Sequence, residues 1–245
     1  MKLLAFDTST DILTIAVQHG AHCHAHQGPG GAQASTTLIP AIRALLAQAG
    51  LGFSELDAVV FGRGPGSFTG LRTACSVAQG LAFGARGGQG VPVLPVDTLL
   101  AVAEQARAER GCTRVVATLD ARMDEVYSAA FEWLADASAP GQSGWRGPQD
   151  FDLCAPEAVR VPAGWTLAGN ARAAYGARLA PDAPDAPDVH CLPTAQALLR
   201  LAPGLLAAGQ AVAADAALPR YIRDKVAQTT AEREAARNAA TAART

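Results

Sequence analysis

Gly62-Arg63-Gly64-Pro65-Gly66-Ser67-Phe68-Thr69-Gly70-Leu71-Arg72 decides how the rest of this chain reads. The apolar run Ala58-Val59-Val60-Phe61 precedes it, and small residues from Thr73 to Gly84 follow at helical spacing. That is the layout of a strand, a glycine-rich turn and a helix. No acid occurs between Ala58 and Val96, whereas Arg63, Arg72 and Arg86 do. Such a turn can cradle an anion with free backbone N–H groups, or it can aim a flat helix at a partner. Two phosphate templates fail. The stretch has no lysine for a Walker loop, and Gly64-Pro65-Gly66-Ser67-Phe68-Thr69 lacks the third glycine and the later acid of a dinucleotide fingerprint.

Upstream, residues 3–6 form an apolar strand that ends in Asp7-Thr8-Ser9-Thr10. Residues 12–17 resume as a strand and 21–27 alternate as a third, which makes an antiparallel meander. A helix is predicted over residues 35–49, with Ser35 as its cap and Leu38, Ile39, Ile42, Leu45, Leu46 and Ala49 as one stripe. In the helix over 67–84 the stripe is Leu71, Ala74, Cys75, Ala78, Leu81 and Ala82. Gly70, Ala74, Gly80 and Gly84 would let another helix come close. Residues 91–96 read as a strand, and Asp97-Thr98 as the cap of a helix ending near Arg110.

The order β-β-β-α-β-α-β-α then starts again. A strand at 113–119 ends in Asp120, as the first ends in Asp7, and another follows at 126–133. Residues 134–163 read as loop, 165–168 as strand, and 180–188, with three prolines, as a linker. Thr194 caps a helix that Pro203 should kink or interrupt. Residues 227–245 lack large apolar side chains and read as frayed or disordered. The expectation is a duplicated α/β core. Residues 1–110 form the first domain and 111–214 a reduced second one, and 215–245 return to the first before a mobile tail.

With 245 residues and 49% apolar composition, the chain can bury a real core. A net charge of −2 gives no global argument for nucleic-acid binding. Five cysteines at wide spacing, with no CxxC, argue against a disulfide framework or zinc site and for a reducing compartment. Asp7 comes too early for a signal peptide, and no apolar run approaches the ~20 residues of a membrane span. A cytoplasmic protein with no membrane association is expected.

Asp7-Thr8-Ser9 could hold a phosphate, with Asp7 reaching a hydrated Mg²⁺ and Asp120 its counterpart across a cleft. Alternatively both acids simply end strands. His22, His24 and His26 share one strand face but span roughly 13 Å, too wide for one zinc. They read as an exposed face. No HExxH occurs, and the one HxxxH spacing, His22 to His26, falls on this alternating strand and not on a helix. Asp120-Ala121-Arg122-Met123-Asp124-Glu125 reads as a turn with local ion pairing.

Taken together, the 62–72 stretch, Asp7-Thr8-Ser9, Asp120-Ala121-Arg122-Met123-Asp124-Glu125-Val126-Tyr127 and Tyr221-Ile222-Arg223 resemble the bacterial TsaB family, also called YeaZ. The likeness runs in order from residue 1 to about 225 and is weak between 134 and 190. It implies an actin-like ATPase (ASKHA) fold of two ribonuclease-H-like halves, and a part in threonylcarbamoylation of the adenosine beside the tRNA anticodon. It also implies a non-catalytic paralogue that binds and activates TsaD, which carries the metal and the chemistry. The ATPase TsaE would join that pair, and the chain alone would form a homodimer. The resemblance gives this chain no metal or cofactor of its own. ATP or ADP with Mg would enter only at the level of the complex, and so would tRNA.

In this family the first two helices form the partner surface. Carried over, that surface is Ser35, Leu38, Ile42, Leu45, Ser67, Phe68, Gly70, Leu71, Ala74, Ala78 and Leu81. Asp7, Thr8, Ser9 and Asp120 would be a vestigial phosphate loop. One departure is Ala34-Ser35, where relatives often carry His before Ser or Thr. The alternative is an ASKHA-type small-molecule kinase or ATPase using Asp7 and Asp120; a metallopeptidase would need an HxxxH on a helix, which is missing. Arg63 and Arg72 remain candidates for contact with a phosphate or an acidic group.

Overall fold

The apolar runs become the centres of two sheets. A computed structural model describes residues 1–135 and 144–223. In the first half β1 (Lys2–Asp7), β2 (Ile12–His19) and β3 (His22–Pro29) form the antiparallel meander, followed by α1 (Ala34–Gln48). Then come β4 (Ala58–Gly64), α2 (Phe68–Gly84), β5 (Val93–Asp97) and α3 (Thr98–Arg110). β4 and β5 join parallel to β1, so the strand order is 3-2-1-4-5. β1 lies centrally and is apolar on both faces, as a strand covered on both sides must be. Leu4 and Phe6 pack towards α1 and α2, and Leu3 and Ala5 pack on the other side.

The second half repeats this order. β6 (Arg114–Asp120), β7 (Val126–Leu134) and β8 (Gly144–Arg146) form the meander, and β9 (Asp152–Cys154) also pairs with β7. β10 (Thr166–Gly169) and β11 (Asp188–His190) add parallel to β6, separated by the short α4 (Ala171–Tyr175). Read from β8, the order is again third, second, first, fourth, fifth. Two such sheets make the actin-like, ribonuclease-H-like arrangement of two halves. α5 (Ala195–Ala207) then lies on the first sheet, with Leu198, Leu199 and Ala202 against Leu3, Val60 and Leu94. The chain therefore returns to the first half at α5, ahead of residue 215.

Several local expectations change. Ser35 is the second residue of α1; the flanking residue is Gln33, whose carbonyl accepts from the Thr36 and Thr37 hydroxyls. Asp97 flanks α3 without capping it, because its carboxylate takes Arg63 instead, at 2.7 and 3.0 Å. Thr194 does cap α5, accepting from the Ala197 amide at 3.1 Å. α5 continues through Pro203 without interruption. Short strands β8 and β9 occupy the stretch read as loop, and β11 starts at the last residue of the stretch read as linker. The expected tail at 227–245 lies outside the described residues. Among those described, no helix is long and apolar enough to cross a membrane.

Glu104 locks the back of the molecule. It is 1% exposed, yet it accepts from Arg107 on its own helix, Arg200 of α5 and the Trp145 indole of β8. Burial works to raise its pKa, but the hydrogen bonds from Arg107 and Trp145 and the neighbouring positive charge outweigh it and hold it low. Glu104→Ala is expected to destabilise the fold by about 2–3 kcal/mol, discounting the buried-pair figure because both arginines are partly exposed. Urea denaturation of variant and parent checks this.

Candidate functional site

The β1–β2 turn and the β4–α2 turn meet at the carboxyl ends of the central strands. They approach so closely that no side chain fits between them. A Cβ on Gly70 would overlap the Thr8 carbonyl, and one on Gly66 would lie 2.6 Å from Ser9 Cβ and O. Hydrogen bonds fasten the contact. The Thr8 hydroxyl donates to the Gly70 carbonyl at 2.6 Å, and the Ser67 amide to the Ser9 carbonyl at 2.7 Å. Ser67 caps α2, its Oγ accepting from the Gly70 amide at 3.4 Å. The glycines predicted as an anion cradle are thus filled by Thr8 and Ser9 of the same chain.

Asp7 sits beneath this contact at 0% exposure. Its Oδ1 accepts from the Ser9 amide and hydroxyl at 2.9 and 2.6 Å, while Oδ2 has no partner and lies over Gly62, where any Cβ would overlap it. Burial pushes the carboxyl up to about 6 against the lowering effect of the Ser9 hydrogen bonds.

A cleft of about 340 Å³ lies between the halves, lined by Ser9, Thr10, Ser67, Phe68, Asp120, Tyr127, Asn170 and residues 220–223 among others. Asp120 lines it; Asp7 does not, so the two acids do not face each other across open space. Asp120 Oδ1 accepts from the Tyr175 hydroxyl and the Arg122 amide at 2.7 and 2.8 Å, and its own amide donates to Asn170. Burial and that hydrogen bond push the Tyr175 phenol up to about 12. The cationic groups of the cleft are also taken. Arg122 pairs with Asp11 and Asp120, Arg220 with Asp97 and Asp150, and Arg223 with Glu125. The residues present do not fit a nucleotide with Mg²⁺. The cradle is full, Asp7 is walled off, and the arginines already have carboxylates.

The candidate anion contacts are likewise committed. Arg63 holds Asp97, and Arg72 stacks 3.8 Å over Phe68 while donating to the Tyr221 hydroxyl at 3.1 Å. Tyr221 also stacks on Phe68, with centroids 5.3 Å apart. Sequence reasoning missed this cluster; 149 residues separate Arg72 from Tyr221, beyond any local pattern.

The partner-surface residues divide. Leu38, Ile42, Leu45, Gly70, Leu71, Ala74 and Ala78 are buried in the chain's own core. Their apolar stripe faces the first sheet, so they offer nothing to a partner in this conformation. Leu81 and Phe68 are half-buried, and Ser35 and Ser67 are exposed. Ala34, where the family often has His, is fully buried. The solvent-facing side of α1 and α2 carries Thr36, Ile39, Arg43, Thr69, Ser76, Gly80 and Phe83. Phe83 is 72% exposed and Ile39 43%. His22 and His26 are exposed and His24 is half-buried on the edge strand β3, in keeping with a solvated face.

A family model described as "TsaD: tRNA N6-adenosine threonylcarbamoyltransferase" matches residues 14–143. The tRNA threonylcarbamoyladenosine biosynthesis protein TsaB of Escherichia coli (strain K12) is 32% identical over 233 residues, covering 93% of this chain and 96% of that protein. The protein of the same name from Haemophilus influenzae is 38% identical over 182 residues, 67% of this chain and 73% of its own. The solved structure of YeaZ from Pseudomonas aeruginosa matches with a TM-score of 0.78 at 39% identity, covering 90% of this chain and 99% of that one. A crystal structure titled as an uncharacterized protein with similarity to peptidase YeaZ, also from Pseudomonas aeruginosa, gives 0.79 at 40%, covering 91% and 99%.

Two outcomes follow from the geometry. A carboxyl raised in the folded state contributes stability below its unfolded pKa and loses it as pH rises through about 6. Asp7→Asn should therefore gain on the parent by about 2 kcal/mol between pH 4.5 and 8. Urea titrations at both pH values read that difference. Gly70→Ala should cost more than about 3 kcal/mol, because the added methyl meets backbone rather than a movable side chain; thermal unfolding measures it.

Proposed function

We propose, for a chain that belongs to the bacterial TsaB (YeaZ) family of tRNA threonylcarbamoyladenosine biosynthesis proteins, the role of a non-catalytic scaffold. It binds TsaD through the outward side of α1 and α2 and activates it, in the cytoplasm. TsaE joins the pair, and tRNA and any ATP or ADP with Mg are met only by the assembled complex. Without TsaD the same surface closes a homodimer. The observation that carries this reading is the filled glycine turn. The stretch expected to hold a phosphate is keyed to Thr8 and Ser9, and what it delivers to solvent is α2.

Gly80 supports the reading. It is exposed, and a Cβ there would meet nothing within 4 Å. The fold itself thus gives no reason for glycine in mid-helix, where glycine is unfavourable. A helix from a partner could approach closely at that position.

Reconstitution of tRNA modification with TsaD, TsaE and the enzyme that makes the carbamoyl-adenylate, with and without this chain, tests the role. Full activity without the chain would end the proposal. Phe83→Glu and Ser76→Arg should abolish co-elution with TsaD while changing stability by less than about 0.5 kcal/mol, as surface substitutions do. Gly80→Ala should stabilise the isolated chain by about 0.5–1 kcal/mol and weaken the TsaD pair; tighter pairing would contradict the close-approach surface.

A further inference from the structure

Residues 220–223 line the cleft and touch both of its walls. On the first half, the Arg220 amide donates to the Arg63 carbonyl at 2.7 Å. Gly64, at φ +121°, leaves room for the Arg220 carbonyl, which a side chain there would meet at 2.5 Å. The Arg220 guanidinium reaches Asp97, and Tyr221 stacks on Phe68 at the start of α2 and accepts from Arg72. On the second half, Arg220 lies 4.2 Å over the Phe151 ring and Ile222 packs into the core of that sheet. Arg223 donates to the Ala121 and Arg122 carbonyls at 3.1 and 3.3 Å and to the Glu125 carboxylate. It thereby holds a turn in which Arg122, Met123 and Asp124 all have left-handed φ, between 55 and 64°.

We propose that residues 220–223 are an intramolecular strap that fixes the angle between the two halves, taking the place that a bound ligand occupies in a hinged two-half protein. Hinged proteins close because a ligand makes contacts with both walls at once. Here the chain supplies those contacts itself, in the cleft where the ligand would lie. The strap anchors α2 at Phe68 and the strained turn at Ala121 and Arg122. The orientation of α2 relative to the second half is thereby set before any partner arrives.

A tether makes a specific prediction: cutting either end has the same effect as cutting both. Tyr221→Ala loosens the first-half end by removing the Phe68 contact and the Arg72 bond, Arg223→Ala loosens the second-half end by removing its bonds to the 121–125 turn, and the double variant does both. Hydrogen–deuterium exchange on the isolated full chain reads three amides. Ala121 and Glu125 lie in the second-half turn, with bonds to the Glu125 and Arg122 carbonyls, and Arg220 is bound to the first half. Tyr221→Ala is expected to speed exchange at Ala121 and Glu125 by about tenfold or more, and Arg223→Ala to do so at Arg220. The double variant should go no faster, and the β1 and β6 amides should not change. Acceleration confined to the amides beside each substitution, or additive in the double variant, would overturn the proposal. So would uniform acceleration across both sheets, since that means simple loss of stability. A substitution that prevents folding is replaced by Tyr221→Phe or Arg223→Lys, each keeping bulk while removing one anchor bond, with the same cross-half readout.

Discussion

Two turns in this molecule come closer than any Cβ permits, and the rest of its architecture follows from that approach. Gly66 and Gly70 leave space into which Ser9 and Thr8 fit, and the Thr8 hydroxyl and Ser67 amide turn the contact into hydrogen bonds. The contact ties the ends of adjacent strands β1 and β4 together. It therefore sets where α2 starts and how it lies across the sheet. It also seals Asp7 beneath it, leaving one carboxylate oxygen without a partner. An unsolvated acceptor of this kind is costly, and it is tolerated because the backbone bonds above it are made.

The second half repeats the topology with a different solution at the same place. Asp120 ends β6 as Asp7 ends β1, but it remains at the cleft and is satisfied by Arg122 and Tyr175. The close approach shifts to Gly169, at φ +128°, where a Cβ would overlap the Thr118 carbonyl on the neighbouring strand. Strand order is thus preserved between the halves while the polar chemistry at the strand ends is not. That explains why the duplication shows in element order and leaves no alignable repeat.

The sequence was most legible where burial dictates composition. β1, β4 and β6 are covered on both faces, so their apolar runs announce them, and the edge strand β3 shows its exposure in alternating histidines. It was least legible where one signal has two causes. A stripe such as Leu38, Ile42 and Leu45, or Leu71, Ala74 and Ala78, records that a helix has an apolar side, without recording what that side meets. The stripes face the sheet, and the solvent side mixes Thr36, Arg43, Thr69, Ser76 and Gly80 with the scattered apolar Ile39 and Phe83, which carry no periodic signal. Asp97 misled for a related reason. An acid before a helix is ordinarily a cap, but Arg63, 34 residues away, presents a charged fork that two backbone amides cannot match. Strands of three residues and a strap joining residues 149 apart lie below what local pattern can resolve.

Strain completes the argument about rigidity. Three consecutive non-glycine residues in left-handed conformation cost roughly 1 kcal/mol each and persist only where their surroundings over-determine them. Here those surroundings are internal. Arg178 grips Asp124 with two bonds of 2.8 Å, and Arg223 takes the carbonyls of Ala121 and Arg122. In a cleft built to open and close around a ligand, such a turn would be held by the ligand and released with it. In this cleft the holding groups are arginines of the same chain, each already paired with a carboxylate. The fold keeps the two halves and the crevice of a hinged enzyme, and spans the crevice with contacts of its own that hold it at one angle.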